Sequence, residues 1–171
     1  MDRIKDLIRD VPDFPVKGIM FKDITPVLKD PKALGEIIDR FSTMYRSENI
    51  DAIVGIESRG FIIGAPLALS LGLPFVPIRK VGKLPFDKIR VSYELEYGEA
   101  TIEIHTDALE PGQRVVIVDD LLATGGTTVA SIELVEKLDA EVVKCAFVIE
   151  LGFLHGREKL PEGKVDSLII Y

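Results

Sequence analysis

The stretch richest in chemistry begins with an apolar run, Val115-Val116-Ile117-Val118. It continues as Asp119-Asp120-Leu121-Leu122-Ala123-Thr124-Gly125-Gly126-Thr127-Thr128. This reads as a buried strand ending in two carboxylates, followed by a small glycine-containing turn that opens a helix. Free backbone N–H groups at a helix amino end, together with the helix dipole, make an anion site. Gly125 and Gly126 let the backbone curl around a phosphate, and the threonine hydroxyls add donors. The Gly-Lys-Ser/Thr ending of a nucleoside-triphosphate loop is missing, and so is the glycine pattern of a dinucleotide site. Two carboxylates directly before a phosphate cradle would repel the phosphate unless something lay between them. A sugar can lie there, its vicinal hydroxyls donating to Asp119 and Asp120 while its phosphate reaches the turn. The run as a whole therefore points to ribose 5-phosphate. Taken singly, the acid pair also fits a strand-end cap and the glycine pair a plain turn.

A second group, Glu57-Ser58-Arg59-Gly60-Phe61, follows another apolar run, Ala52–Ile56. Arg59 carries a planar fork suited to phosphate oxygens, or to an ordinary surface ion pair. A third group crowds Arg79, Lys80, Lys83, Lys88 and Arg90 around Gly82 and Pro85. That is either a solvated basic loop or a mobile loop that meets a polyanionic small molecule.

The elements that must position these groups are legible in outline. Ile4, Leu7, Ile8 and Val11 recur at helical spacing, with Pro12 and Pro15 ending that helix. Residues 14–26 read as a loop. Asp30-Pro31 is a helix start, and Leu34, Ile37, Ile38, Phe41, Met44 and Tyr45 give that helix one apolar face. Ala52–Ile56 reads as a buried strand, residues 61–71 as an apolar helix stopped by Gly72, and residues 75–78 as another strand. Residues 91–97 and 101–105 flank Gly98-Glu99 like a hairpin. After the turn at Pro111-Gly112 come a strand at 115–118, a helix over 127–138 carrying Val129, Ile132, Val135 and Leu138, and strands at 142–149 and 168–171. Strands alternating with helices predict an open α/β fold, a mostly parallel sheet flanked by helices. Ligands in such sheets sit at the carboxyl ends of the strands.

Composition narrows the partners. With 47% apolar and 29% charged residues over 171 positions, the chain reads as one globular domain, residues 1–171. Net charge is −7, which disfavours nucleic acid and anionic membranes. Residues 61–73 are too short and too interrupted by Gly and Pro to span a bilayer. The amino terminus carries no signal-peptide pattern, and the single cysteine, Cys145, fits a reducing, cytoplasmic setting.

The run from Val115 to Thr128 closely resembles the phosphoribosyl pyrophosphate (PRPP) motif of type I phosphoribosyltransferases. Glu57-Ser58-Arg59-Gly60-Phe61 is similar to the pyrophosphate loop of the adenine phosphoribosyltransferase family. Phe14-Pro15 with Gly18-Ile19-Met20-Phe21-Lys22-Asp23-Ile24-Thr25-Pro26 resembles that family's base-covering amino-terminal hood, with Lys22 where the family often has Arg. Ile78-Arg79-Lys80, Gly82-Lys83-Leu84-Pro85 and Ser92-Tyr93-Glu94-Leu95-Glu96-Tyr97-Gly98 resemble its flexible hairpin loop.

The resemblance implies the type I phosphoribosyltransferase fold and a purine-salvage reaction of adenine with PRPP that gives AMP and pyrophosphate. By it, Ala123, Thr124, Gly125, Gly126 and Thr127 hold the 5-phosphate, and Asp119 and Asp120 hold the ribose hydroxyls. Glu57, Ser58, Arg59, Arg79, Lys80 and Lys83 meet pyrophosphate. Met20, Phe21, Lys22 and Leu151 hold adenine, with Phe21 and Leu151 on its two faces. Glu96 is the catalytic acid/base and Arg59 assists; a solvent-facing Glu96 is the plainer alternative, since Glu94, Glu99 and Glu103 lie close by. A cis peptide is implied between Ser58 and Arg59. Magnesium is the cofactor, held mainly by PRPP rather than by a protein site, and a homodimer is implied. His105 and His155 read as structural or surface residues. The alternatives are a non-enzymatic PRPP or nucleotide sensor, or a transferase for another purine.

Overall fold

The computed structural model describes residues 2–14, 17, 18, 20–94 and 98–171. Helix α1 spans Asp2–Leu7, and the chain then turns extended into β1 (Arg9–Pro12), antiparallel to β2 (Met20–Asp23). The predicted helix carrying Val11 therefore ends early. Pro12 pushes the residue before it towards extended backbone, and Val11 instead pairs with Phe21. The expected loop over 14–26 likewise contains β2 and the start of a short helix, α2 (Thr25–Lys29). The Asp23 carboxylate accepts from the Thr25 N–H at 2.8 Å as that helix opens.

Helix α3 (Pro31–Tyr45) starts where Asp30 caps it, its carboxylate accepting from Lys32 N at 3.0 Å and Ala33 N at 3.1 Å. Ile37, Phe41 and Tyr45 form its buried stripe, whereas Met44, expected on the apolar face, is 40% exposed. Strand β3 (Ala52–Ile56) is followed by α4 (Arg59–Leu71), closed by Gly72 at φ 70°, and then by β4 (Phe75–Lys80). The hairpin is β5 (Lys88–Glu94) and β6 (Glu99–His105). Strand β7 (Arg114–Leu122), α5 (Gly126–Glu136), β8 (Glu141–Glu150) and β9 (Val165–Ile170) complete the order. Two short 3-10 helices, Gly152–Leu154 and Gly156–Lys159, lie between β8 and β9.

Among the described residues, seven strands form one sheet in the order β5-β6-β4-β3-β7-β8-β9, and a separate two-stranded sheet holds β1 and β2. Pairing is parallel from β4 to β9 and antiparallel where β6 and β5 extend one edge. The strand period of two sorts side chains to opposite faces. Val54, Val115, Ile117, Cys145 and Phe147 pack with Ile132, Leu134 and Val135 of α5. Ile53, Val116, Val118, Ala146 and Val148 pack with Ile37 and Phe41 of α3 and Ile63 and Leu67 of α4. On α5, Val129 faces out at 40% exposure, against expectation, and Thr128 and Ser131 are buried.

The chain leaves β3 towards β4 on one side, and β7 begins the run to β8 and β9 on the other. The strand order thus reverses between β3 and β7, which opens a crevice beyond their carboxyl ends. Strand β7 runs further than the predicted 115–118. The long β8 carries pairing on through Asp119↔Phe147 and Leu121↔Ile149, after β3 has stopped.

Candidate active site

At the end of β7 the chain bends through Ala123, Thr124 and Gly125, and α5 starts at Gly126. Gly125 sits at φ 82° and has no side chain to cap the helix, so no capping side chain takes up the first N–H groups of α5. The loop is backed by a glycine from the 3-10 segment. A Cβ on Gly156 would lie 2.1 Å from the Ala123 carbonyl oxygen, and one on Gly125 would lie 2.6 Å from the Gly156 oxygen. The Thr127 hydroxyl meets the Tyr93 hydroxyl of β5 at 3.0 Å.

The two carboxylates behave differently. Asp119 accepts the Asp120 N–H at 2.9 Å. Burial, then the neighbouring Asp120 charge, pushes the Asp119 carboxyl well above the usual range. Asp120 is almost fully buried and pairs with the Arg59 Nε. Burial works against the Arg59 charge, but Asp120, then Asp119 and Asp23, outweigh it and hold the guanidinium more firmly protonated. Arg59 stays 47% exposed, so one side of its fork remains open to the crevice. Gly60 explains how α4 comes so close: a Cβ there would lie 2.5 Å from the Val118 carbonyl oxygen and 3.2 Å from Asp119 Oδ1. The cis peptide lies between Glu57 and Ser58, not between Ser58 and Arg59 as expected. The bond after Ser58 already leads into the helical backbone that starts at Arg59.

The basic segment is built around two acids. Glu57 Oε2 accepts from Arg79 Nε at 3.1 Å and from Lys80 N at 3.0 Å, while Arg79 Nη1 donates to the Lys83 carbonyl at 3.2 Å. Burial would raise the Glu57 carboxyl, but the Lys80 N–H and the Arg79 guanidinium hold it below the usual range. Glu103, noted from sequence only as one of several acids close to Glu96, is fully buried. It accepts from Gly82 N at 3.0 Å and pairs with Arg90 at 3.1 Å. Lys88 donates to the carbonyls of Leu84 and Phe86. Three of the five basic side chains thus shape the segment, and Lys80 and Lys83 stand exposed upon it.

The amino-terminal residues pack beside Tyr171, the residue that follows β9. Phe21 meets Phe14 edge-on, with ring centroids 5.1 Å apart. Lys22 donates to Asp10 at 2.6 Å and lies 3.9 Å over the Tyr171 ring, so its ammonium is committed and its backbone is what the strand offers. Met20 is 44% exposed on the same strand. The Tyr171 carbonyl accepts from Gly152 N at 3.0 Å, and Leu151 N donates to the Leu122 carbonyl at 2.9 Å. Through Tyr171, β2 is tied to the segment holding Leu151, next to the end of β7.

Residues 24–168 match the sequence family described as phosphoribosyl transferase domain. An adenine phosphoribosyltransferase from Halothermothrix orenii is 58% identical over 166 residues, covering 97% of this chain and 98% of the relative. The chain belongs to the adenine phosphoribosyltransferase family. The crystal structure of an adenine phosphoribosyltransferase from Thermoanaerobacter pseudethanolicus superposes with a TM-score of 0.96 at 54% identity, covering 99% of both chains. That of the Saccharomyces cerevisiae enzyme, complexed with D-2,5-dideoxy-2,5-imino-altritol 1,6-bisphosphate and adenine, superposes with a TM-score of 0.92 at 44% identity, covering 98% and 97%.

In this adenine phosphoribosyltransferase fold, two of the groups singled out from sequence come together where β3 and β7 end. Asp119 to Thr127 and Glu57 to Arg59 meet directly through Arg59 and Asp120. Arg79 joins them through Glu57. Glu96 lies outside the described residues, between Glu94 at the end of β5 and Gly98 at φ 97°. His155 is exposed beside Glu158, and His105 packs edge-on to Phe86. Sequence reasoning missed Gly156, Tyr93 and the buried Glu103. Gly156 has no positive φ and hence no turn signal; only the close approach of Ala123 demands it. Among the described residues, no three His, Cys, Asp or Glu side chains are grouped to hold a metal ion, and no helix is long and apolar enough to cross a membrane.

Proposed function

We propose that this chain transfers the phosphoribosyl group of PRPP to adenine, giving AMP and pyrophosphate in purine salvage. The observation that carries this reading is the meeting of three parts at one topological switch point. These are an uncapped helix terminus for the 5-phosphate, an acid pair for the ribose hydroxyls, and Arg59 between that pair and the pyrophosphate loop. The yeast relative, complexed with adenine and a bisphosphate, supports the base and the bisphosphate chemistry.

Ala123, Thr124, Gly125, Gly126 and Thr127 cradle the 5-phosphate with N–H and hydroxyl donors. Asp119 and Asp120 accept from the ribose hydroxyls. In the reaction the bond from C1′ to pyrophosphate breaks and a bond from adenine N9 to C1′ forms. The leaving group gains negative charge, which the open side of Arg59 meets together with Ser58, Lys80, Lys83 and the Arg79 held by Glu57. Magnesium, whose preference for hard oxygen suits the PRPP oxygens that would mainly hold it, would supply further neutralisation of the pyrophosphate when bound. Glu96 handles the purine proton. Met20, Phe21 and the Lys22 backbone, with Leu151, enclose adenine and read its amino edge, which penalises a base carrying a carbonyl there.

The protein acts as a single domain, a homodimer in the cytoplasm. Exposed Ile62 and Leu69, seven residues apart on α4, support the dimer, and the unpaired, buried Cys145 supports the compartment. The test is ultraviolet detection of AMP from adenine, PRPP and magnesium, beside hypoxanthine, guanine and xanthine. Product from adenine alone, abolished by chelating magnesium, is the expected result. Product only from another base would overturn the adenine pocket. PRPP binding without turnover on any base would make the chain a sensor instead.

A further inference from the structure

Tyr93 projects from β5 onto the first turn of α5. Its ring carbon Cδ2 lies 3.5 Å from where a Cβ on Gly126 would be, and its hydroxyl is 3.0 Å from Thr127 Oγ1. The ring also packs against the hydrophobic core, so the hydroxyl is carried to the phosphate loop on a held support. The Thr127 backbone is fixed in turn, its carbonyl accepting from Ser131 Oγ at 2.8 Å.

Proton counting gives this contact a direction once a ligand arrives. A threonine hydroxyl has one donor and two acceptor sites, and a tyrosine hydroxyl also has one donor. Phosphate oxygens offer only acceptors. When a phosphate occupies the loop, the Thr127 proton must point at it, and the Tyr93 proton is then the one that fills the space between the two hydroxyls. A donor behind Thr127 fixes its rotamer and polarises its O–H towards the anion.

We infer that Tyr93 is a positioning residue for the 5-phosphate, donating to Thr127 so that Thr127 donates to the ligand. The inference rests on the phosphoribosyl-transfer reading and names one more residue of that site. The same contact ties the phosphate loop to the strand that leads, three residues later, to Glu96.

The test combines Tyr93→Phe with Thr127→Val and Thr127→Ser, reading dissociation constants for ribose 5-phosphate and AMP by calorimetry, KM for PRPP and adenine, and melting temperature. One net hydrogen bond corresponds to a factor of about three to ten. Tyr93→Phe is therefore expected to weaken ribose 5-phosphate, AMP and PRPP by about that factor while adenine KM and the melting temperature hold. In the Thr127→Val background the same change should have no further effect, and in the Thr127→Ser background it should recover its full effect. Unchanged phosphate-ligand affinity in Tyr93→Phe would overturn the inference, as would an equal loss in the Thr127→Val background or an equal rise in adenine KM. Wild-type protein that binds neither AMP nor ribose 5-phosphate would overturn the phosphoribosyl-transfer reading itself, a result distinct from the others.

Discussion

Gly156 and Gly125 press together backbone against backbone, and that contact sets the shape of the loop between β7 and α5 as much as the loop's own sequence does. A methyl group on Gly156 would lie 2.1 Å from the Ala123 carbonyl oxygen and 3.0 Å from Gly125 N, both backbone atoms that cannot swing aside. The segment behind it cannot easily retreat either. Arg157 is clamped to Glu150 through Nε–Oε1 at 2.8 Å and Nη2–Oε2 at 2.5 Å, and its Nη1 donates to the Val165 carbonyl at 2.9 Å. The strain of Gly156→Ala must therefore fall on residues 123–125. Displacements of this order at a positioned ligand cost about ten- to a hundredfold. Gly156→Ala is expected to lose that much AMP and PRPP affinity in a protein that still folds, measured by calorimetry beside circular dichroism. Wild-type affinity would mean that the loop is not braced from behind. A similar economy of atoms holds at Gly60, where β7 and the start of α4 approach too closely for any side chain.

Helix α3 allows two substitutions of opposite sign on one element. Asp30 caps it with two N–H contacts, and losing such a cap costs about 1 kcal/mol. Gly35 lies inside the same helix, where a Cβ would meet nothing within 4 Å, so alanine there gains about 0.5–1 kcal/mol of helix propensity. Thermal melts should move about 2–4 °C down for Asp30→Ala and slightly less up for Gly35→Ala, with AMP formation unchanged in both; a fall in Gly35→Ala would mean that a side chain at 35 clashes with a neighbour. This cap was legible in the sequence because its signal is local, as were β3, the Gly72 stop and the strand–acid–glycine run that joins β7 to α5. What was not legible depends on partners far along the chain. Val11 has helical spacing with Ile4, Leu7 and Ile8, yet it pairs with Phe21. Arg59 finds Asp120 61 residues away, and Tyr93 finds Thr127 34 away. Glu103 lies in a charged stretch that gives no hint of its burial, which arises only when Gly82 and Arg90 close over it. The catalytic assignment of Glu96 rests on resemblance, since residues 95–97 lie outside those described.

Across the whole molecule, the acid groups divide by the direction in which folding moves them. The Arg157 hydrogen bonds hold Glu150 below the ordinary carboxylate range, and the Thr25 hydroxyl and N–H do the same for Asp23. These groups stabilise the fold above their unfolded values and lose that contribution as the pH falls through the lower folded ones. Asp119 has the opposite sign. Its carboxyl is raised by burial and by Asp120, so its contribution is fully present below the ordinary aspartate value of about 3.9 and is lost as the pH rises through its raised value. Without ligand at neutral pH this carboxylate therefore works against the stability of the fold, and the charge that opposes folding is the one proposed to accept from the ribose hydroxyls. Asp119→Asn keeps an oxygen to accept the Asp120 N–H and removes that charge. The ligand-free variant is expected to melt higher than wild type at pH 7, by about 2–4 °C for each kcal/mol relieved. The gap should close towards pH 4, and affinity for AMP and PRPP should fall at neutral pH. Melting curves from pH 4 to 8 without ligand, beside calorimetric titration with AMP, check both halves. A variant that melts lower than wild type at pH 7 would mean that ionised Asp119 supports the empty fold, and the opposition between stability and binding at this site would not exist.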